Sequence, residues 1–315
     1  MDYSLLVEKN KQYNQLLSCY NLGTLTNAIL LKSVDENLSK EIAFSLASKI
    51  VGASISLVKK KAHPDVLIYG LDGKIDAGAA NEIVESLVLR PYSSSKKVYC
   101  LFGIENMNEI SQNKILKSLE EPPEDVFFIL TSANMKLVLS TVASRTNVVE
   151  IDAASNKDIF DMLVACGVDN DTANIAVSCS AGNSTLAEKL TDQKFVNLYN
   201  LVIDALENIN GSRDCLTYAS KFESKEIDKN EMLDIAIVLL RDASMVNANK
   251  DSLVVNAHHM GAIKNIASGL FNDSIATMIS ECLRLKQNLY YNGNTTAIVD
   301  KFVLMIAEEK SKCRK

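Results

Sequence analysis

The first half of the chain alternates between short apolar runs and longer segments with helical spacing. Apolar residues three or four positions apart, such as Ile42, Leu46 and Ile50, predict helices between the runs. The runs predict strands at residues 28–31, 66–69, 98–102, 127–130 and 148–151. Continuously apolar strands separated by helices are typical of a parallel sheet that is covered on both faces. We therefore expect an α/β domain at residues 1–152.

The strand pattern disappears after Ile151. Residues 153–194 predict a small domain of three helices, and Ile159, Leu163 and Val164 lie on the first of them. Residues 195–315 predict an all-helical C-terminal domain. Its predicted helices lie at residues 195–206, 231–246, 253–267, 275–289 and 295–309. The predicted fold class is α/β plus all-α, in three domains.

Composition supports this class and narrows the function. The 12 Gly and 4 Pro among 315 residues are too few for the many turns of an all-β sandwich or propeller. Hydrophobic residues make up 47% and charged residues 23%, as in soluble globular proteins. The formal net charge is −6, from 33 basic and 39 acidic side chains. A stand-alone protein that binds nucleic acid with its whole surface is normally basic, so that class is disfavoured, whereas a local patch or a place inside a complex is not.

Cysteine usage and the first residues bear on the cellular compartment. The seven cysteines are odd in number and form no Cys-x-x-Cys pair, so spacing indicates neither a disulfide framework nor a zinc ribbon. The segment Met1-Asp2-Tyr3-Ser4 lacks the basic and apolar regions of a signal peptide, and no apolar run approaches membrane-spanning length. We therefore expect a cytoplasmic protein.

The most specific stretch of sequence lies at residues 97–151. A predicted strand is followed by a helix with Asn108 as its N-cap, and this helix ends before Pro122 and Pro123 because proline cannot continue a helix. Residues 116–124 read Leu-Lys-Ser-Leu-Glu-Glu-Pro-Pro-Glu, residues 127–131 read Phe-Phe-Ile-Leu-Thr, and residues 144–146 read Ser-Arg-Thr.

This ordered series resembles the clamp-loader branch of the AAA+ ATPases. In that branch a Leu-Leu-Lys-x-Leu-Glu-Glu-Pro-Pro block precedes a hydrophobic strand and a Ser-Arg-Cys motif. Ser144 and Arg145 match the motif, and Thr146 replaces its cysteine. The resemblance implies an AAA+ sheet domain, a three-helix lid and a helical collar.

The phosphate-binding loop of an ATPase has no counterpart in this chain. A P-loop needs glycines to wrap phosphate, a Lys for the outer phosphates and a Ser or Thr for Mg²⁺. Its expected place, at residues 32–41, contains no glycine, and Asp35 and Glu36 put negative charge there. Lys40 without a glycine loop is interpreted as a solvated lysine near the start of a helix.

Two further nucleotide elements are also missing. The third strand runs into Phe102 and Gly103, where an ATPase has acidic residues that hold Mg²⁺. Glu105 and Glu109 lie beyond that point and are interpreted as carboxylates at a helix start. In the lid, Thr185 stands where catalytic relatives carry a nucleotide-sensing Arg. We therefore expect a non-catalytic AAA+ relative with no cofactor and no metal.

Arg145 is the residue to which the resemblance assigns a catalytic role, with Ser144 as its motif support. The corresponding Arg of clamp loaders acts in trans, because it reaches the ATP of a neighbouring subunit and offsets charge on the transferred phosphoryl group. The plainer alternative is a surface Arg in an ordinary salt bridge.

The resemblance extends along the whole chain to the delta-prime family of DNA polymerase III. It includes His-Pro-Asp-Val at residues 63–66, the segment at 82–92, and Asn-Leu-Tyr-Tyr-Asn-Gly-Asn at 288–294. It implies gamma/tau and delta subunits as partners in a five-subunit ring, which meets the sliding clamp and primer-template DNA, with no membrane partner.

Three other features depart from the family or stay outside its motifs. Many members carry a four-cysteine zinc module, but residues 52–62 contain no cysteine, so zinc is excluded there. The lysine run at 59–61 is interpreted as solvated rather than as a contact to DNA phosphate. His258 and His259 have no suitably spaced Cys or acidic partner and are expected on a helix surface.

The predicted function is a nucleotide-free clamp-loader subunit that lends Arg145 to an adjacent ATP site. An active gamma/tau-type ATPase is one alternative, and it requires a phosphate site that the sequence lacks. A delta-type subunit is a second alternative, against which Ser144 and Arg145 argue. A structural AAA+ relative outside replication is the third.

Overall fold

The chain forms two compact units. The computed structural model describes three stretches of sequence, at residues 1–71, 74–290 and 294–313. The first unit comprises Met1–Cys166 and Gly182–Leu186, and the second comprises Gly167–Ala181 and Ala187–Lys315. The division into three domains, with boundaries after residues 152 and 194, stays a prediction. Part of the Asn-rich segment at 288–294 lies outside the described residues.

A five-stranded parallel sheet in the order β2-β3-β4-β1-β5 is the centre of the first unit. The strands are β1 Ala28–Lys32, β2 Val66–Tyr69, β3 Lys97–Leu101, β4 Val126–Ser132 and β5 Asn147–Glu150. The central strands β3 and β4 are buried throughout, since only residues covered on both sides of a sheet are shielded in this way. All five predicted strands are confirmed within one or two residues.

Capping residues and prolines mark the ends of several helices in this unit. They are α1 Ser4–Lys9, α2 Lys11–Asn21, α3 Glu36–Val51, α4 Ile55–Lys59, α5 Ala77–Ser86, α6 Glu109–Glu120, α7 Ser140–Ala143 and α8 Asn156–Ala165. Asn108 caps α6 by accepting the Ser111 N–H at 2.8 Å, as predicted. α6 ends just before Pro122 and Pro123. α3 packs on β3 and β4, while Ile83 and Ile115 join a core cluster with Tyr99 and Phe128.

The second unit is all-helical within the described residues, as predicted. Its helices are α9 Asn170–Ser180, α11 Gln193–Asn208, α12 Ser212–Phe222, α13 Lys229–Asn247, α14 Met260–Ser268, α15 Asn272–Tyr290 and α16 Thr295–Cys313, while α10 Ser184–Lys189 begins in the first unit. α13 packs against α11, α14 and α15. Phe222 and Phe302 meet edge to face, with ring centroids 5.8 Å apart, where α12 contacts α16. The fold class, α/β plus all-α, is confirmed.

The helices of this unit differ from the prediction in two places. The helix predicted at 253–267 begins only at Met260. In the segment before Met260, the buried carboxylate of Asp242 accepts the N–H groups of Val255 and Asn256. The helix α12 was not predicted, and Gly211 before it supplies no side-chain cap that the sequence could display. No helix among the described residues is long and apolar enough to cross a membrane.

Candidate functional site

The carboxyl ends of β1, β3 and β4 lie next to one another because the sheet is parallel. In open α/β sheets this edge is where ligands bind. The residues compared above with nucleotide-binding elements follow these strands: the turn at 33–35 follows β1, and Phe102 and Gly103 follow β3. The contacts of these residues determine whether a nucleotide can bind at this edge of the sheet.

Asp35 forms the centre of the turn between β1 and α3. Its side chain caps α3 by accepting the Leu38 N–H at 3.2 Å. The same carboxylate accepts the N–H and the hydroxyl of Ser184, each at 2.5 Å. It also accepts the N–H of Thr185 at 3.2 Å and its hydroxyl at 2.6 Å. Asp35 is only 2% exposed, so five donors of the chain itself satisfy a buried anion.

Thr185 completes this arrangement. Its Oγ1 donates to Asp35 and accepts the Asn37 N–H at 2.7 Å, at the first turn of α3. Asp35 and Thr185 were identified separately in the sequence as departures from an ATPase, and the structure brings them into direct contact. The position that the resemblance compares with a nucleotide-sensing Arg therefore holds a hydroxyl bonded to an internal carboxylate.

A small cavity lies beside the turn. Ser33, Lys40, Glu105 and Thr131 are among its lining residues, and its volume is about 40 Å³. Small-molecule sites usually have volumes of roughly 300–1,000 Å³, and one water occupies about 30 Å³. Lys40 is 24% exposed and lies 3.5 Å from the Glu36 carboxylate, so it is less solvated than predicted. The cavity is therefore far smaller than a usual small-molecule site.

The end of β3 carries no acidic side chain. Phe102 is fully buried, and Gly103 has a left-handed φ of +65°, where a Cβ would lie 2.9 Å from the Asn106 amide nitrogen. Glu105 Oε1 accepts the Ala133 N–H at 2.8 Å, and its buried Oε2 has no hydrogen-bond partner among the described residues. Glu109 lies in the first turn of α6, as predicted. In the part of the chain that the structure describes, no group of three or more His, Cys, Asp or Glu residues could hold a metal ion.

Arg145 lies just after α7. Its Nε donates to Glu120 Oε2 at 2.8 Å, and its Nη1 donates to the Thr141 carbonyl oxygen at 3.1 Å. The Arg145 side chain is 31% exposed and that of Glu120 is 56% exposed. Ser144 ends α7 by donating its N–H to the Ser140 carbonyl oxygen at 2.9 Å. The guanidinium is thus held on two sides and accessible to solvent.

The lysine run has mixed surroundings. Lys59 lies 2.5 Å from the Glu41 carboxylate, while Lys60 and Lys61 are exposed. One of the three lysines is therefore engaged within the chain, and two are available to solvent.

The histidine pair is not on a helix surface, so that prediction was wrong. His258 and His259 lie in a single 3-10 turn, Ala257–His259, and are half-buried. His258 Nε2 and His259 Nδ1 are buried without a hydrogen-bond partner among the described residues. Burial, and then the neighbouring His259, lower the pKa of His258 to about 4. Asp242 accepts the N–H groups of Val255 and Asn256, which lie just before this turn.

Known proteins resemble this chain over most of its length. The sequence model of the family described as "DNA polymerase III, delta subunit" matches residues 8–155. The delta-prime subunit of DNA polymerase III from Bacillus subtilis is 23% identical over 252 residues, which are 78% of this chain and 77% of that protein. This chain is similar to the delta-prime subunits. The resemblance that the sequence motifs indicated, strongest at residues 97–151, is confirmed.

Gamma-type proteins are similar as well. A DNA polymerase III gamma subunit of Buchnera aphidicola subsp. Schizaphis graminum is 33% identical over 157 residues, 46% of this chain and 43% of that protein. Among solved structures, a gamma subunit-related protein of Thermotoga maritima covers 94% of this chain and 99% of its own, with a TM-score of 0.48 and 18% identity.

Two residues of the site were missed in the sequence. Ser184 supplies two of the five hydrogen bonds to Asp35, but the contact spans 149 residues and no local pattern reveals it. Glu120 pairs with Arg145 across 25 residues. The sequence could have pointed to Glu120, because this residue belongs to the Glu-Glu-Pro-Pro block that carries the resemblance.

Proposed function

We propose that this chain is a delta-prime-type subunit of the DNA polymerase III clamp loader, which helps to load the sliding clamp onto primed DNA without hydrolysing ATP itself. The observation that carries the proposal is the Asp35 carboxylate, which takes five hydrogen bonds at the turn between β1 and α3. At the corresponding turn, a P-loop ATPase closes glycine N–H groups and a lysine around phosphate.

Charge and space both oppose a nucleotide at this turn. A triphosphate would meet the Asp35 and Glu36 carboxylates, and like charges repel most strongly where water is excluded. It would also have to displace Asp35 from its donors, which would leave a buried carboxylate unsatisfied. The cavity of about 40 Å³ is far below the roughly 300 Å³ of a small ligand site.

In this proposal Arg145 acts as an arginine finger on the ATP of a neighbouring subunit. The transition state of phosphoryl transfer spreads charge over three equatorial oxygens, and a guanidinium offsets it. Arginine has five N–H donors, of which Glu120 and Thr141 take two, so three remain for phosphate oxygens. Ser144 supports the finger by ending α7 at a defined place.

The partners follow from the same proposal. Gamma/tau and delta subunits complete a five-subunit ring, in which the helical residues 195–315 form the collar. The sliding clamp and primer-template DNA are reached through this complex, in the cytoplasm. The chain contributes no bound cofactor or metal of its own.

One alternative has an observation in its favour. The gamma subunit of Buchnera aphidicola is 33% identical over 46% of this chain. Similarity to a gamma subunit favours an active gamma/tau-type ATPase. That alternative predicts that the isolated chain binds ATP. The delta-prime proposal predicts no binding at millimolar ATP in calorimetric titration, with an authentic gamma subunit as the positive control. Saturable binding would overturn the nucleotide-free part of the proposal.

The decisive experiment measures clamp- and DNA-stimulated ATP hydrolysis by a loader reconstituted with the wild-type chain or with Arg145→Ala. Arginine fingers are worth about 10³–10⁵ in kcat, so turnover at the one dependent site is expected to fall at least about 100-fold. Arg90→Ala, at an exposed position in the first unit and outside the proposed collar, is the control and is expected to match the wild type.

Size-exclusion chromatography separates the outcomes. Lost turnover in an intact complex supports both the ring membership and the finger. Unchanged turnover in an intact complex contradicts the finger and leaves a scaffold subunit. Failure of the wild-type chain to assemble contradicts the clamp-loader proposal and supports a structural relative outside replication.

A further inference from the structure

Glu120 is the side chain that holds Arg145 in place. The two are joined by a 2.8 Å contact between Arg145 Nε and Glu120 Oε2. A second contact, from Nη1 to the Thr141 carbonyl oxygen at 3.1 Å, grips the other side of the guanidinium. Two anchors on one planar group restrict both its position and its rotation.

One of the two anchors lies at a helix end that the sequence defines sharply. Glu120 is the last residue of α6, which cannot continue because Pro122 and Pro123 follow. Thr141 lies on α7, one turn before Arg145. The three N–H groups that remain on the guanidinium have no partner among the described residues.

We infer that Glu120 is a positioning residue for Arg145, which it holds ready for the phosphate of a neighbouring subunit. This inference rests on the proposed function. A free arginine side chain samples many rotamers, and it must give up this freedom each time it reaches a transition state. A guanidinium that is already held loses less conformational entropy when it reaches the transition state. The activation free energy is therefore lower for the same contacts to phosphate.

The exposure of the pair supports positioning over a role in stability. Glu120 is 56% exposed and Arg145 is 31% exposed, and ion pairs in such surroundings contribute little to folding. Water also screens the Glu120 charge, so the carboxylate leaves the guanidinium effective toward a phosphate. Loss of Glu120 is therefore expected to change turnover and leave the folded chain intact.

The test compares Glu120→Ala, Glu120→Gln and Glu121→Ala in the reconstituted loader. Glu120→Ala is expected to lower kcat at the dependent site about 3- to 10-fold, the cost of fixing one long side chain, with KM for ATP unchanged. Glu120→Gln keeps an oxygen that accepts the Nε–H and is expected to retain at least about half of the activity. Glu121→Ala removes the same charge from the next exposed residue, which forms no ion pair within the described residues, and is expected to match the wild type.

A second readout uses the isolated chain, where no catalysis occurs. The steady-state heteronuclear NOE of the Arg145 Nε–H, one of six arginine Nε groups, reports the side chain's mobility. It is expected to fall in Glu120→Ala and to stay near the wild-type value in Glu120→Gln and Glu121→Ala. An unchanged NOE in Glu120→Ala would show that Glu120 does not restrain the guanidinium and would overturn the inference.

The outcomes for this inference and for the proposed function differ. If Arg145→Ala lowers turnover while Glu120→Ala equals the wild type or exceeds it, the finger stands and the positioning role of Glu120 is overturned. If Arg145→Ala changes nothing, the finger itself fails and the inference fails with it. Equal losses in Glu120→Ala and Glu121→Ala would assign the effect to net charge and would also overturn it.

Discussion

The Asp35 carboxylate and the Thr185 hydroxyl are joined by a 2.6 Å hydrogen bond across 150 residues of sequence. Each residue taken alone is a departure from an ATPase. Together they join the turn after β1 to Gly182–Leu186 within the first unit. An internal anion thus makes the contacts at the turn that the sequence resemblance compares with a phosphate-binding loop, and this contact can be tested directly.

Asp35→Ala is expected to lower the free energy of unfolding of the first unit by about 2–4 kcal/mol, because α3 loses its cap and buried donors lose their acceptor. Urea unfolding measures the change, and hydrogen exchange at the amides of Leu38, Ser184 and Thr185 localises it. Asp76→Ala is the control, since exposed Asp76 caps α5 by accepting the Ala79 N–H and its loss should cost about 1 kcal/mol. Equal losses in the two variants would contradict the role assigned to Asp35.

Thr185→Val tests the hydroxyl without changing the shape of the side chain. It leaves Asp35 without one donor and Asn37 N–H without its acceptor, so the free energy of unfolding should fall by about 1.5–3 kcal/mol. Thr185→Ser keeps the hydroxyl and loses one methyl group, so its cost should be about 1 kcal/mol or less. The measurement compares the urea unfolding midpoints of the wild type, Thr185→Val and Thr185→Ser under the same conditions. If the serine variant loses as much as the valine variant, packing and not the hydrogen bond is responsible.

His258 gives the second unit a stability that depends on pH. Burial, and then His259, lower its pKa from 6.5 to about 4, whereas the Asp171 and Asp242 carboxylates act in the opposite direction. The folded state therefore binds fewer protons than the unfolded state between these values. Its stabilising contribution is complete above pH 6.5 and is lost as the pH falls toward 4.

The measurement is the urea midpoint of the second unit at pH 7.5 and at pH 5.0. The midpoint of the wild type should fall more between these values than that of His258→Gln, which cannot gain this proton. His63→Gln, in the first unit, serves as the control and should behave as the wild type. An identical decline in His258→Gln and the wild type would show that other groups carry the acid sensitivity.

Much of the fold could be predicted because its determinants are local. The apolar runs located all five strands, and Asn108 and Pro122 marked the two ends of α6. Elements whose limits depend on distant residues were harder to predict. Asp242 accepts the N–H groups of Val255 and Asn256 just before α14, and this interaction spans more than a dozen residues of sequence. His258 lies in the half-buried turn that follows these two residues.

The candidate site also has features that the sequence determines locally and contacts that depend on distant residues. The motif around Arg145, the lack of glycine at residues 32–41 and the Thr at position 185 are properties of the chain's chemistry, so the sequence by itself determined the family resemblance and the residues to examine. Only the tertiary structure decided what those residues contact: Asp35 with Ser184 and Thr185, and Arg145 with Glu120. The reason is physical. A residue type states which hydrogen bonds a side chain can form, but the partner is selected by the packing of segments that are distant in the chain.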